Sequence, residues 1–250
     1  MTEIQAHRGA SAECPENTMA AFRRAAELGV KGVELDVYLL PDGNLVVHHD
    51  DKLGRCELEA EGSIYEYTAA QLCKMDVGTK FSPDFAGEHI PTFREVLDFL
   101  VKTPLFLNVE IKAATGFLTG IEDHVLKLLR EYDMEKRSMI SSFHHFILTE
   151  IRKKYPEMPV GALYSRNYGI DMVEYACKWG FHALHSKYPL VDAELVKRAH
   201  EAGLAVNVWT VDQPDDIQRM LDIGVDHIIS NNPALAQEIA SKQGSPACRE

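Results

Sequence analysis

Length, composition and charge place this chain among ordinary globular proteins. It has 250 residues, 46% of them hydrophobic and 26% charged, and these values exclude disordered, collagen-like and disulfide-scaffold proteins. Its 38 acidic and 26 basic residues give a net charge of -12, which argues against nucleic acid as a partner because nucleic acid selects an extended basic surface. If the ligand is nevertheless an anion, local groups must reverse the sign of the charge at the site.

The N-terminal sequence and the cysteines predict the cellular context. The first residues carry no basic stretch followed by an apolar one, and no apolar run approaches a membrane span, so neither secretion nor stable membrane insertion is expected. The five cysteines contain no Cys-x-x-Cys pair and predict neither a disulfide framework nor a thiolate zinc site; they are Cys14, Cys56, Cys73, Cys177 and Cys248. We therefore expect a cytoplasmic protein with reduced thiols. No heptad repeat or obvious exposed patch predicts an oligomeric state.

Short β-rich runs alternate with amphipathic helical runs along the chain. The predicted strands are Ile4–His7, Gly32–Val37, Leu45–His49, Leu105–Ile111, Met139–Phe143, Val160–Tyr164, Phe181–His185, Leu204–Thr210 and His227–Ser230. The predicted helices are Thr18–Leu28, Thr92–Val101, Ile121–Tyr132, His145–Tyr155, Met172–Trp179, Ala193–Ala202, Pro214–Ile223 and Ala234–Ser241. Thr92-Phe-Arg-Glu95 has the pattern of a capping box, and Thr68-Ala-Ala-Gln71 is a weaker example. Repeated β-α units imply a parallel sheet, and eight of them in a chain of this length close into a (β/α)8 TIM barrel.

The ninth predicted strand does not fit a regular barrel. Leu40-Pro-Asp-Gly-Asn44 leaves no room for a crossover helix, so the second and third strands are predicted to form an antiparallel hairpin. A turn centred on Asp42 and Gly43 would place Asp36 nearly opposite His49.

The polar segment that follows, Asp51–Pro91, is predicted to be a small insertion or lid after the hairpin strand, with Glu57 and its other acids on a solvated face. We expect one TIM-barrel domain over residues 1–250, with the insertion at 51–91. A doubly wound open sheet is the rival fold, but no Gly-x-Gly-x-x-Gly follows the first strand.

Polar residues fall at the ends of the predicted strands, where a barrel carries its chemistry. Pairs two residues apart point to the same face of a strand; these are Glu34 and Asp36, Glu110 and Lys112, and Asn207 and Trp209. Three carboxylates that face inward repel one another unless a cation joins them. Oxygen ligands suit a hard divalent cation, Mg²⁺ or Ca²⁺, and argue against zinc.

Two histidines and two cations complete the predicted constellation. His7 and His49 can serve as a general base and a general acid near neutral pH, and the sequence leaves open which does which. Arg8 and Lys112 beside a hard cation suit a phosphoryl oxygen. These groups together predict cation-assisted cleavage of a phosphate ester in a locally positive pocket.

The same residues resemble the glycerophosphodiester phosphodiesterase family, in its bacterial cytoplasmic form. The likeness covers almost the whole chain in order. The matching segments are His7-Arg-Gly9, Pro15-Glu-Asn-Thr18, Glu34-Leu-Asp-Val37, Asp42-Gly43, Val46-Val-His-His-Asp50, Leu53-Gly-Arg55, Ile90-Pro-Thr92, Asn108-Val-Glu-Ile-Lys112, Ser141-Ser-Phe143, Val208-Trp-Thr-Val211 and Gly224–Asn231. His48 creates an ambiguity with His49, which the following Asp50 settles in favour of His49.

The resemblance implies a fold, a reaction and roles for particular residues. The fold is a (β/α)8 barrel with a small insertion, and the reaction is hydrolysis of a glycerophosphodiester to sn-glycerol 3-phosphate and an alcohol. The implied metal ligands are Glu34, Asp36 and Glu110, the acid/base pair is His7 and His49, and the phosphate-side residues are Arg8 and Lys112. On this view the substrate is a small molecule and the cofactor is one divalent cation. A route that fits these residues is attack of the glycerol 2-hydroxyl on phosphorus, followed by opening of the cyclic phosphate by water.

Four neighbouring residues have predicted supporting roles, and two rival functions would use the same site. Glu16 is expected to brace Arg8, and Asn17 to cap the helix that follows. Trp209 and Phe143 are either core residues or flank the substrate at the mouth of the barrel. A lysophospholipase D acting on longer lipids is the first alternative, and a non-catalytic phosphate-ligand binding protein is the second. The second would have lost a histidine or a carboxylate of the set, and all five are present.

Overall fold

Eight parallel strands close into a barrel in the computed structural model, which describes residues 2–113 and 120–243. The strands are β1 (Glu3–His7), β2 (Gly32–Leu39), β3 (Leu45–Val47), β4 (Phe106–Ile111), β5 (Ser138–Ser142), β6 (Val160–Tyr164), β7 (Ala183–Lys187), β8 (Ala205–Trp209) and β9 (His227–Ser230). Their order is β1-β9-β8-β7-β6-β5-β4-β2-β3, and the parallel pairing of β1 with β2 closes the ring. Only β3 runs antiparallel, against β2. The predicted TIM-barrel class is therefore confirmed, with the extra strand in the predicted hairpin.

Helices follow the strands and cover the outside of the barrel. They are α1 (Met19–Leu28), α2 (Ala69–Leu72), α3 (Phe93–Leu100), α4 (Ile121–Glu131), α5 (His145–Lys154), α6 (Met172–Trp179), α7 (Ala193–Glu201), α8 (Pro214–Asp222) and α9 (Pro233–Gln243). Their ends lie where the chain supplies caps: Thr18 accepts from the Ala21 amide at the start of α1, and Thr92 and Glu95 form a capping box on α3. None of the helices in the described residues is long and apolar enough to cross a membrane.

The main core lies between the strands and this ring of helices. Outward-facing strand residues such as Leu35, Leu107 and Val206 are fully buried against helix residues such as Phe22 and Leu97. Burial of this continuous apolar layer stabilises the barrel and leaves its interior and its C-terminal mouth free for polar groups.

The hairpin differs from the prediction by one residue. The loop between Leu40 and Asn44 has three residues, so it is centred on Asp42 rather than between Asp42 and Gly43; the Leu40 amide donates to the Asn44 carbonyl at 2.9 Å. Val37 therefore pairs with Val47, and the His48 amide donates to the Asp36 carbonyl at 3.1 Å. Asp36 lies opposite His48, not His49. The odd loop length is the physical reason, because one residue more or less moves every partner along the strand.

The segment after the hairpin packs on the face of the hairpin that carries Tyr38 and Val46, which is the face opposite to the one covered by the barrel helices. It contains α2 and forms a second apolar cluster with Tyr38 and Val46, in which Ile64 and Leu72 are fully buried. The predicted solvated position of Glu57 is wrong: its side chain is 1% exposed and lies 3.3 Å from His48 Nε2. The described cysteines, Cys14, Cys56, Cys73 and Cys177, are unpaired, and Cys248 lies outside the described residues.

Candidate active site

The C-terminal ends of β1, β2 and β4 bring the predicted acids together. In the sheet register His7 pairs with Glu34, and Asp36 pairs with Glu110. One carboxylate oxygen from each of Glu34, Asp36 and Glu110 lies within 4.8 Å of the others, and all three side chains are buried. The two-residue spacing on each strand therefore produces the acidic cluster that the sequence predicts.

Two cations hold the centre of this cluster. Lys112 Nζ lies 3.0 Å from Asp36 Oδ1 and 2.6 Å from Glu110 Oε1, and Arg8 Nε lies 3.3 Å from Asp36 Oδ2. Burial alone would raise the pKa of Asp36, but Lys112 and Arg8 outweigh it and hold that pKa well below its usual range. Asp36 is therefore the member of the cluster that most readily stays ionised.

The pKa values of the other two acids, Glu34 and Glu110, shift in the opposite direction. Burial raises the pKa of Glu34 well above its usual value, and Asp36 and Glu110 add to the effect. Burial also raises the pKa of Glu110 to about 7, although Lys112 opposes it. If all three carboxylates are ionised, the two cations leave the cluster one positive charge short, and the raised pKa values of Glu34 and Glu110 reflect this shortage. Oxygen donors with a surplus of negative charge are the donor set that a hard divalent cation requires, so the residues fit a metal ion.

The backbone conformation of the turn before α1 positions Arg8 at the acidic cluster. Arg8 has φ 57°, and its amide donates to Glu34 Oε2 at 3.1 Å. Gly9 has φ 78°, and a Cβ at this position would lie 2.6 Å from the backbone of Ala21. Glycine is thus required for the close approach of this turn to α1, a requirement that explains the His-Arg-Gly sequence.

His7 is oriented by the end of β9. Its Nδ1 lies 2.7 Å from Asn231 Oδ1, and Asn231 Nδ2 in turn donates to Asp212 Oδ2 at 2.7 Å. Its Nε2 lies on the other side of the ring, 3.9 Å from Glu34 Oε2. Burial and the nearby Arg8 lower the pKa of His7 to about 4.

His49 leaves the hairpin after β3 ends and lines the same cavity. Its Nδ1 lies 2.6 Å from Asp50 Oδ1. Burial, followed by Lys112 and Arg8, lowers the pKa of His49, while Asp36 and Asp50 raise it. His48 points away from the cavity towards Glu57, so of the two adjacent histidines the structure places His49 at the site.

Glu16 and Arg55 connect these two sides of the cavity. Glu16 Oε1 accepts from Arg8 Nη1 at 2.9 Å, as the sequence predicts, and Arg55 donates to both oxygens of Glu16 at 2.9 and 2.6 Å. Arg55 Nε also donates to Asp50, the partner of His49. The sequence assigned no role at the site to Arg55, but its five donors let it hold Glu16 and Asp50 together.

Asn17 contacts the site, but it is not the predicted helix cap. Its Nδ2 donates to Asp36 Oδ2 at 2.8 Å, with the backbone at φ 55°. Thr18 occupies the capping position of α1 instead. The left-handed backbone turns the Asn17 side chain towards the barrel, so it cannot reach the amides of the helix.

A cavity of about 70 Å³ joins these groups to the barrel interior. Its walls include Phe143 and Trp209, whose rings meet edge to face with centroids 5.5 Å apart. Trp209 Nε1 donates to the His185 carbonyl at 3.0 Å, and Phe143 is 40% exposed at the mouth. Both aromatic residues therefore lie where they can flank a ligand.

Three further cavity residues had no role in the sequence prediction: Asn108, Ser141 and His185. Asn108 was detectable, because it precedes Glu110 by two residues and so faces the same way. His185 is fully buried and lines the cavity. Only the closing of the barrel shows that β7 faces β4 across this space.

Comparisons with known proteins agree with this geometry. The model of the glycerophosphoryl diester phosphodiesterase family matches residues 7–235. A glycerophosphodiester phosphodiesterase of Caldanaerobacter subterraneus is 39% identical over 97% of this chain and 99% of its own, and one of Bacillus altitudinis is 33% identical over 96% and 98%. A solved phosphodiesterase of Oleispira antarctica, in complex with the product sn-glycerol-3-phosphate, has a TM-score of 0.89 at 28% identity, covering 96% of this chain and 97% of that one. A structure from Silicibacter pomeroyi gives the same TM-score at 29% identity, covering 98% of this chain and 94% of that one.

Proposed function

The chain belongs to the glycerophosphoryl diester phosphodiesterase family and is a hydrolase of glycerophosphodiesters, and we propose that it releases sn-glycerol 3-phosphate with one divalent cation and two histidines. The observation that carries this proposal is the buried cluster of Glu34, Asp36 and Glu110. Two of its members, Glu34 and Glu110, line one cavity together with two cations and two histidines. This arrangement supplies a cation site, proton-transfer groups and a phosphate-binding side.

Glu34, Asp36 and Glu110 would hold the cation, which is Mg²⁺ or Ca²⁺ because their donors are all carboxylate oxygens. When bound, this ion supplies Lewis-acid stabilisation of charge on phosphoryl oxygen. Arg8 and Lys112 bind the non-bridging oxygens of the phosphate from the same side. Without a divalent ion, three ionised carboxylates and two cations carry a net charge of about -1. A bound divalent ion would change this charge to about +1, which matches the single negative charge of a phosphodiester. The acidic chain therefore offers a positive pocket.

His7 serves as the general base. Asp212 accepts from Asn231 Nδ2, so the carbonyl oxygen of Asn231 faces His7 and accepts from its Nδ1–H. The Nε2 of a neutral ring then carries the lone pair towards the cavity. With a pKa of about 4 the ring is neutral at pH 7, and Nε2 accepts the proton of the attacking glycerol 2-hydroxyl.

His49 serves as the general acid. Its Nδ1–H donates to Asp50, and the carboxylate of Asp50 stabilises the imidazolium form. A bound phosphodiester anion counters Lys112 and Arg8, which otherwise lower the pKa of His49. In the complex His49 Nε2–H then protonates the oxygen of the leaving alcohol, which leaves a cyclic phosphate. Water opens this cyclic phosphate, losing its proton to His49 while His7 returns its proton to the glycerol 2-oxygen, so that sn-glycerol 3-phosphate is released and both histidines are restored. Trp209 and Phe143 flank the substrate at the mouth of the cavity.

The first experiment measures release of sn-glycerol 3-phosphate from glycerophosphocholine by the purified chain, after removal of metal and with added Mg²⁺ or Ca²⁺. We expect turnover that depends on the added ion. A protein that hydrolyses lysophosphatidylcholine and not glycerophosphocholine would instead be a lysophospholipase D. Release of no product from any glycerophosphodiester, with the ligand still bound, would make it a binding protein.

Leaving groups distinguish the two histidines. A 4-nitrophenyl diester of glycerol phosphate needs little protonation of its leaving group, whereas the choline diester needs full protonation. His49→Ala should therefore lose much more activity on the choline diester than on the nitrophenyl diester. His7→Ala should lose about equally on both, because both require the base. The reverse pattern would exchange the two assignments, and near-normal rates in either variant would remove that residue from the mechanism.

Two further proposals concern the cellular location of the protein and the role of residues 51–91. We propose that the protein acts in the cytoplasm as a single barrel domain, in which residues 51–91 form an insertion that supports the site. The support is the pair of contacts from Arg55 in this insertion to Glu16 and Asp50. Retention of full activity after deletion of residues 51–91 would contradict this role.

A further inference from the structure

Two buried polar side chains join the hairpin to the insertion that follows it. His48 comes directly after β3 and is 5% exposed, and Glu57 lies in the insertion and is 1% exposed. His48 Nε2 lies 3.3 Å from Glu57 Oε1, and neither atom has a hydrogen-bond partner elsewhere among the described residues. Loss of either side chain would leave the other buried and unpaired, which is costly because it has already given up water. We call these two residues the buried pair.

Each member of the buried pair is a close chain neighbour of a residue at the site. His48 directly precedes His49, the general acid, and Glu57 follows Arg55 by two residues. Arg55 holds Glu16 on one side and Asp50 on the other. Neither member of the buried pair is among the residues that line the cavity. The pair therefore lies behind the site and can act on it only through these neighbours.

The contacts of the buried pair close a small ring of chain. The backbone leads from His48 through His49 to Asp50, and Asp50 accepts a hydrogen bond from Arg55 Nε. From Arg55 the backbone leads to Glu57, which returns to His48. The ring is thus closed by two ion pairs, Arg55 with Asp50 and Glu57 with His48.

The two ion pairs of this ring differ in exposure. The side chains of Arg55 and Asp50 are 47% and 28% exposed. Exposed ion pairs contribute little, because water competes for both groups and a long side chain loses freedom when it is held. The contact between His48 and Glu57 is shielded from water. The buried pair is therefore the contact that can fix the backbone from which Arg55 extends.

Glu57 also shapes the turn that carries Arg55. Its second oxygen, Oε2, accepts from the Gly54 amide at 2.5 Å, and Lys80 Nζ donates to the Gly54 carbonyl at 2.6 Å. Gly54 has φ 116°, a backbone conformation that residues with a side chain rarely adopt. One carboxylate thus closes the turn from Gly54 to Glu57 and attaches this turn to the hairpin.

We propose that Glu57, held by His48, is a positioning residue for the phosphodiesterase reaction and acts by fixing the turn that presents Arg55. Through Arg55 its effect reaches the carboxylate that orients His49 and the carboxylate that holds Arg8. This inference rests on the proposed function, because the buried pair has no chemistry of its own in the reaction. A guanidinium held in one place keeps both carboxylates oriented before the substrate binds.

Two substrates test the role of Glu57. Glu57→Ala should lower kcat/KM about tenfold on glycerophosphocholine but only about threefold on the 4-nitrophenyl diester, because both substrates need Arg8 and only the first needs full protonation by His49. Equal losses on the two substrates, or no loss on either, would overturn the proposal. Glu57→Gln is a milder variant should the alanine variant fail to fold. It should shift the ratio of the two rates about twofold in the same direction, and an unchanged ratio would overturn the proposal as well.

A double variant tests the route through Arg55. If Glu57 acts by placing Arg55, then Glu57→Ala/Arg55→Gln should be no more than about twofold slower on glycerophosphocholine than Arg55→Gln alone. Two independent losses of about tenfold would instead multiply to about a hundredfold. A loss of that size would refute the route.

A control variant separates positioning from a general loosening of the insertion. Ile64 is fully buried in the apolar cluster of the same insertion. Ile64→Val or Ile64→Ala, whichever lowers the melting temperature as much as Glu57→Ala does, should leave the ratio of the two rates at its native value. A ratio that shifts equally in this control would contradict a specific role of Glu57.

The activity of the native protein distinguishes this proposal from the proposed function. If the native protein hydrolyses glycerophosphocholine and the Glu57 variants keep the native ratio of rates, only the positioning role fails. If the native protein hydrolyses no glycerophosphodiester, the proposed function fails and the positioning role fails with it.

Discussion

The neutral state of His185 leads to a quantitative prediction for stability. Burial, and secondarily His227, lowers the pKa of His185 to about 3 in the folded chain, against about 6.5 in the unfolded chain. Between these two values the unfolded chain binds a proton that the folded chain does not. Stability is therefore lost as the pH falls from about 6.5 towards about 3.

The size of this loss follows from the same two values. On acidification from pH 7 to pH 5 the imidazole becomes almost fully protonated in the unfolded chain only. This change lowers the free energy of unfolding by about 2 kcal/mol, from about 1.4 kcal/mol per pH unit over the 1.5 units below 6.5. A loss of this size is a substantial part of the about 5–15 kcal/mol typical of a folded domain.

Urea unfolding at pH 7 and pH 5 measures the effect in the native protein and in His185→Leu. The variant is expected to be less stable at pH 7, because it leaves Asn207 without its partner, but its loss of stability between the two pH values should be smaller by about 2 kcal/mol. Titrating groups that do not interact with His185 contribute equally to both proteins and cancel. His124→Leu, at an exposed position of α4, controls for the removal of an imidazole. The same pH dependence in the native protein and His185→Leu would refute the argument that His185 stays neutral.

Three other changes test the site. Glu110→Gln removes one of the three clustered carboxylates, so it should lower turnover about a hundredfold or more and weaken cation binding. Titration with Mg²⁺ or Ca²⁺ measures both effects. Unchanged cation affinity would exclude Glu110 as a ligand. Arg55→Gln should reduce kcat/KM about tenfold and alter the pH profile of kcat, because Asp50 and Glu16 lose their shared donor. Arg94→Gln is the control: it breaks an exposed pair with Glu131 and should change neither quantity. Gly161→Ala should lower the free energy of unfolding by about 1–3 kcal/mol through its clash with His185, and a native melting temperature would show that the ring has room to move.

Much of the architecture could be predicted from the sequence because helices, strands and turns depend on local residue patterns. The alternation of apolar runs and caps placed the helices and strands, and the Leu40–Asn44 segment indicated a hairpin because no crossover helix fits into it. The spacing of Glu34 from Asp36, and of Glu110 from Lys112, placed each pair on one face because side chains alternate along a strand. The hairpin register was wrong by one residue, since it depends on the exact loop geometry around Asp42.

Errors and omissions concern side chains whose partners are distant in sequence. Asn17 was predicted to cap the helix that follows, but its left-handed backbone directs it to Asp36. Glu57 was assigned to a solvated face because it lies in a polar segment, yet it is buried beside His48. Neither contact has a local signal, because each depends on how the insertion and the turn before α1 pack against the barrel.

The barrel class, the strand ends that carry the acids and the residue types suited to a phosphate ester could all be predicted before folding, because they follow from periodicity and from the chemistry of individual side chains. Which of these groups meet depends on the closed barrel. Closing the ring of strands brings His185 on β7 into the same cavity as Asn108 on β4, and the path of the chain after β3 directs His49 rather than His48 to the site. The physical reason is that a strand fixes the direction of its own side chains, whereas the shape of the closed barrel fixes what lies opposite them.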